Sequence, residues 1–134
     1  MTEPEPEFDP PVSYRPRPAL LNELARRVHV ENLRWWRDPV SGLPVDRNVP
    51  EQLALMHSEI SEALEAFRKN LNDTHLRHRD GFTVELADLI IRVLDTVGAY
   101  GLDLDGAFWE KLAYNAQRHD HTDAARIGAH GKKF

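Results

Sequence analysis

The sequence predicts an all-α protein, an antiparallel four-helix bundle, on three observations. Apolar residues recur at spacings of three and four in four separate stretches, each bounded by proline, glycine or a capping side chain. The connections between these stretches are short, which makes successive helices antiparallel neighbours. No stretch shows the alternation of a half-buried strand, and no unit of solenoid length repeats.

Taken in order, the chain opens with six of its nine prolines in the first eighteen residues, among Glu3, Glu5, Glu7 and Asp9. Each proline removes a backbone donor and restricts the residue before it, so residues 1–17 are expected to form an extended, flexible arm. Residues 18–120 are expected to form the helical domain. Its first helix is read from Ala19 to Trp36, on Leu21, Leu24, Val28 and the Trp35-Trp36 pair. Arg37 to Asn48 carries Pro39, Gly42 and Pro44 and reads as a loop. Pro50 suits the first turn of a helix, where its missing N–H is no loss, and Leu53, Met56, Ile60, Ala63, Leu64 and Phe67 form one stripe through which this second helix is expected to pack, as far as about Lys69. Asn70 to Gly81 is polar and aperiodic, and Asp80 or Thr83 is placed to cap a third helix. That helix covers about Phe82 to Tyr100 and stops at Gly101, which tolerates a left-handed turn. Asp103 then caps a fourth helix from Leu104 to about Arg118, and residues 121–134 read as a basic tail.

Composition narrows the function. The 134 residues suit one domain, and 41% hydrophobic with 29% charged residues is an ordinary globular mix. Without cysteine there are no disulfides, thiolate metal sites or cysteine nucleophiles. A net charge of -5, from 22 acidic against 17 basic residues, disfavours a nucleic-acid polymer as partner, since phosphate binding needs a concentrated positive face. No apolar run approaches the roughly 20 residues that span a bilayer, and the acidic N-terminus is unlike a signal peptide, so no membrane is expected and the location is read as cytoplasmic.

The acidic excess points to cations. The second helix carries Glu59-Ile60-Ser61-Glu62 and the third Glu85-Leu86-Ala87-Asp88. Residues three apart share a helix face, so each helix offers a carboxylate pair. On the third helix Glu85, Asp88, Arg92 and Asp95 occupy one stripe about 80° wide at 100° per residue, while Leu86, Leu89, Ile90, Ile91, Val93, Leu94 and Val97 wrap most of the rest. A helix so apolar is buried against several neighbours, which in a bundle this small implies oligomerisation. Two like charges 4 Å apart repel by about 4 kcal/mol at an effective dielectric near 20, so facing carboxylates need protons or cations. Hard oxygen donors suit Mg²⁺, with Mn²⁺ as a substitute. The plain alternative is two pairs that face water on separate stripes. A di-iron bundle is set aside because none of the seven histidines has Glu three residues before it. His119-Asp120-His121 reads as solvated tail rather than as a metal motif.

On the fourth helix Lys111, Asn115 and Arg118 share a face, and Lys132 and Lys133 lie beyond it in the tail. These cations and this amide suit phosphate oxygens. Of Trp35 and Trp36, one is expected to pack structurally; Trp36 is a candidate to stack a base.

The ordered series E-x-x-E, a loop-sized gap and E-x-x-D resembles the signature of the all-α nucleoside triphosphate pyrophosphohydrolases, the MazG-like superfamily. His57 to Ala66 resembles that family's second helix and Glu85 to Asp95 its third, while Lys111, Tyr114-Asn115, Arg118 and the His130 to Phe134 ending are similar to a small single-domain branch of bacteria and their phages. The resemblance runs from about Asn48 to Phe134. It implies an all-helical protomer forming a homodimer or a dimer of dimers, with the active site lined partly by a second chain. It also implies Mg²⁺-dependent hydrolysis of a nucleoside triphosphate, or its deoxy form, to the monophosphate and pyrophosphate, as in nucleotide-pool house-cleaning. Glu59, Glu62, Glu85 and Asp88 match the family's metal ligands. Asp95 and Arg92 lie outside the core motif, Asp95 as an additional ligand or water-positioning group.

On that basis Glu59 or Glu62 is the candidate general base, and Lys111, Asn115, Arg118, Lys132 and Lys133 are candidates to hold phosphate oxygens in line for displacement. dUTP or dCTP, damaged nucleotides and phosphoribosyl-ATP all remain open as substrates. The competing expectation is a non-catalytic helical interaction module whose acidic stripe contacts a basic partner.

Overall fold

A computed structural model describes residues 19–134; the arm read over residues 1–17 lies outside the described residues. The described residues are helical, with no β-strand among them and only two isolated bridges. They fall into two compact units, Leu20–Leu102 and Asp103–Phe134. Among the described residues no helix is long and apolar enough to cross a membrane.

The first unit contains α1 (Leu20–Glu31), a 3-10 turn (Leu33–Trp36), α2 (Val49–Lys69) and α3 (Gly81–Tyr100). The first helix ends earlier than its apolar spacing suggests. Asn32 closes it, with its N–H donating to Val28 and His29 carbonyls at 3.0 and 3.1 Å, and Trp35 and Trp36 lie in the turn beyond. The loop after Arg37 is tied by Asp38, whose carboxylate accepts from the Val40 and Ser41 N–H groups at 3.0 and 2.7 Å. Gly42, at φ 69°, turns the chain back so that Val45 N–H reaches the Trp36 carbonyl at 3.0 Å.

The caps of α2 and α3 are side-chain caps at one end and left-handed residues at the other. Asn48 accepts from Glu51 N–H at 2.7 Å, and α2 ends at Asn70 with φ 50°. Asp80 accepts from Thr83 N–H at 2.8 Å, and α3 ends at Gly101 with φ 61°. The polar segment between them is ordered by Asp73, which accepts from the His75 and Leu76 N–H groups.

α3 is the central helix and packs on both α1 and α2. Its contact with α1 is close because Gly98 has no side chain: a Cβ there would lie 2.4 Å from the Ala25 carbonyl oxygen and 2.7 Å from the His29 Cβ. Ala25, Leu94 and Val97 are buried around this crossing.

The α2–α3 seam runs antiparallel and is partly polar. Thr96 donates to Gln52 at 2.9 Å, Arg92 pairs with Glu59, and the small Ala66 approaches Gly81. The buried residues of α2 are Gln52, Glu59, Ala63 and Ala66, so the face toward α3 takes the edge of the apolar stripe at Ala63 and leaves most of the stripe beside it. Leu53, Ile60, Leu64 and Phe67, which fall within about 60° of one another, remain 48%, 50%, 57% and 67% exposed. The stripe expected to pack inside the protomer is therefore largely uncovered.

The second unit holds α4 (Leu104–Gln117), a 3-10 turn (His119–His121) and α5 (Asp123–Ile127). Asp103 caps α4 through Gly106 N–H at 3.0 Å, as its position implies, and Thr122 caps α5 through Ala125 N–H at 3.3 Å. The segment after α4, read as a tail, thus has local structure as far as Ile127.

Candidate metal centre

Three of the four carboxylates singled out by spacing converge. Glu59 from α2 and Glu85 and Asp88 from α3 each offer an oxygen, and these oxygens lie within 4.8 Å of one another. Glu59 and Asp88 get there because α2 turns its polar and small face to α3; Glu85 lies on the same α3 stripe, one turn before Asp88. Glu62 is exposed and stands outside this group, though near enough to act on Glu85 electrostatically.

The cluster is electrostatically strained. The Glu85 carboxyl is pushed up to about 7, by burial first and then by the charges of Glu62, Glu59 and Asp88. Asp88 is raised as well, by burial first and then by Glu59, against the lowering pull of Arg92. Glu59 is 6% exposed and its charge is met by the Nε–H of Arg92, a half-exposed guanidinium one turn beyond Asp88. Opposite charge at this range favours the ionised carboxylate, whereas like charge and desolvation favour the proton. The oxygen set is of the hard type that takes Mg²⁺ or Mn²⁺.

Asp95 shares the acidic stripe but is otherwise engaged. Its carboxylate accepts the indole N–H of Trp36 at 3.1 and 3.0 Å, and His29 Nδ1 lies 2.8 Å from Oδ1. At 7% exposure these partners satisfy a charge that burial alone would penalise. Trp36 also meets the rings of His29 and Tyr100 edge to face, at 5.3 and 6.0 Å, and carries the Arg47 guanidinium 4.9 Å from its centroid. It is a packed, hydrogen-bonded side chain. Trp35, next to it, is 62% exposed.

A cavity of about 600 Å³ joins these features. Glu59 and Asp88 line it, with Arg92, Arg47, Asn32 and Trp35. Sequence reasoning did not single out Asn32, His29 or Arg47. No spacing points to them, because Asn32 and Arg47 lie outside any helix and His29, within α1, meets Asp95 only through the packing of α1 on α3.

The proposed phosphate-binding residues belong to the second unit. Arg118 makes a two-pronged pair with Asp120 at 3.0 and 2.8 Å, and Lys132 Nζ lies 3.5 Å from the same carboxylate. Arg118, before His121 and Lys132, holds the Asp120 carboxyl below its ordinary range. Lys111 sits over the Tyr114 ring at 4.8 Å, the Asn115 carbonyl lies 3.2 Å from His121 Nδ1, and the Lys133 carbonyl accepts from Arg126 at 3.3 Å. Asp120 is thus a partner of cations.

Comparison with protein-family models, curated proteins and solved structures finds no match to this chain.

Proposed function

We propose that the chain is a Mg²⁺-dependent nucleoside triphosphate pyrophosphohydrolase of the MazG-like type, cleaving ribo- or deoxyribonucleoside triphosphates to the monophosphate and pyrophosphate in cytoplasmic nucleotide-pool house-cleaning. One observation carries this reading: Glu59, Glu85 and Asp88 converge, and two of them line a cavity that also holds two guanidinium groups and an exposed indole. Such a cavity matches a ligand with a polyanionic part and a planar part.

The donor set fits the ion. Glu85 and Asp88, whose proton affinity is raised by burial and by the carboxylates around them, would be relieved by a divalent cation, which Glu59, Glu85 and Asp88 would hold. When bound, the ion supplies Lewis-acid polarisation of phosphoryl oxygens and neutralises charge on the departing pyrophosphate. Glu62, exposed and outside the three-oxygen group, takes the proton of the attacking water, because Glu59 would be held as a ligand of the cation. Trp35 offers a face for the base, in place of Trp36, whose N–H and ring are occupied. Lys111, Asn115, Arg118, Lys132 and Lys133 are kept as phosphate-binding residues on their side-chain chemistry.

The exposed stripe of α2 supports association into a homodimer or a dimer of dimers. Covering Leu53, Ile60, Leu64 and Phe67 would remove apolar surface from water at roughly 25 cal/mol per Å². Glu62→Gln tests the chemistry: turnover should fall by at least about 100-fold with helicity and Mg²⁺ binding retained, and undiminished turnover removes Glu62 from the mechanism. A protein whose melting responds neither to Mg²⁺ nor to nucleotide is instead the interaction module.

A further inference from the structure

Arg92 holds a place in the site that the acidic motif does not explain. It is the cationic member of the acidic stripe of α3, and its Nε–H is given to Glu59, the most buried of the three converging carboxylates. The guanidinium is 39% exposed in its side chain and lines the cavity together with Arg47. It carries five N–H donors in a fixed fork and stays charged at any ordinary pH. One end of that fork is therefore spent on Glu59, and the residue that carries the remaining donors lines the cavity.

A divalent cation held by Glu59, Glu85 and Asp88 would stand against this guanidinium as a like charge. Both compete for the same carboxylate. Resting on the metal-dependent reading above, we propose that Arg92 is an exchangeable counter-ion. It neutralises Glu59 while the cation is absent, yields that carboxylate when the cation binds, and turns its donors to the polyphosphate in the cavity. Cation loading and anion binding are then coupled through one side chain, and linkage makes the coupling reciprocal. A residue that merely braced Glu59 would behave oppositely, since its loss would loosen the ligand set and weaken the cation.

The test uses the full chain and Mn²⁺ alone, titrated by calorimetry. Arg92→Gln should bind Mn²⁺ more tightly than the parent, on the order of fivefold, and bind inorganic tripolyphosphate more weakly by a similar factor. Arg92→Lys keeps the charge without the fork and should lie between the two for Mn²⁺. In the parent, the Nε–H resonance of Arg92, assigned through its own side-chain carbons, should shift on Mg²⁺ addition, a readout that needs no stable variant. Mn²⁺ binding that is unchanged or weaker in Arg92→Gln, or an Nε–H signal indifferent to saturating Mg²⁺, overturns the exchange while leaving the metal site standing. No Mn²⁺ binding by the parent overturns both.

Discussion

The indole N–H of Trp36 points at the carboxylate of Asp95, 3.1 and 3.0 Å from its two oxygens, and this contact separates the roles of two adjacent tryptophans. Trp36→Phe leaves a buried carboxylate short of a donor and should destabilise the fold by about 1–3 kcal/mol, read by chemical denaturation. Trp35→Ala should barely change stability yet weaken nucleoside triphosphate binding by about 1–3 kcal/mol, with tripolyphosphate affinity retained. Equal losses for both ligands would remove Trp35 from base recognition.

Gly98→Ala should be among the most disruptive single-methyl changes. Its Cβ would come 2.4 Å from a backbone oxygen of α1, which no rotamer change relieves. A loss of about 1–3 kcal/mol is expected, and a neutral result would mean that α1 and α3 do not cross there.

The Glu85 carboxyl sets a pH dependence. Its pKa is about 7 in the fold against an ordinary 4.5, so the folded chain binds this proton more tightly than the unfolded one. The associated stability is fully present below about pH 4.5 and is lost as pH rises to about 7. Asp88 is shifted in the same sense. Cation-free protein should therefore melt a few degrees higher near pH 5 than near pH 8, a difference limited by the partial exposure of Glu85. Carboxylates held low, such as Asp73 and Asp80, act only at more acidic pH. Glu85→Gln should flatten the profile, and an unchanged slope would assign the dependence elsewhere.

Leu64→Glu tests association. It places a charge in the exposed stripe of α2, away from the face that meets α3. Sedimentation should show a shift toward monomer with helicity intact. A parent chain that is already monomeric at high concentration would remove the dimer.

The sequence makes the start of α2, both ends of α3 and the start of α4 legible because caps and left-handed stops are local chemistry: Pro50, Asp80, Gly101 and Asp103 stand where expected. That Glu85 and Asp88 share one face of α3 was legible too, since helical spacing fixes which side chains of one helix lie together. What periodicity cannot report is the partner of a face. The apolar stripe of α2 is conspicuous, yet α3 takes the side bearing Gln52, Glu59 and two alanines, where small residues and paired polar groups allow close approach. The early end of α1 was hidden because Trp35 and Trp36 continue its apolar spacing past the break at Asn32.

Pyrophosphate release tests the central claim most directly. The purified chain is offered a panel of ribo- and deoxyribonucleoside triphosphates with Mg²⁺, and the monophosphate and pyrophosphate are measured together. At least one triphosphate should yield the two in equal amounts, with the yield abolished by chelation and by Asp88→Asn. Release of orthophosphate alone, or no turnover across the panel with Mg²⁺ or Mn²⁺, contradicts the proposed activity.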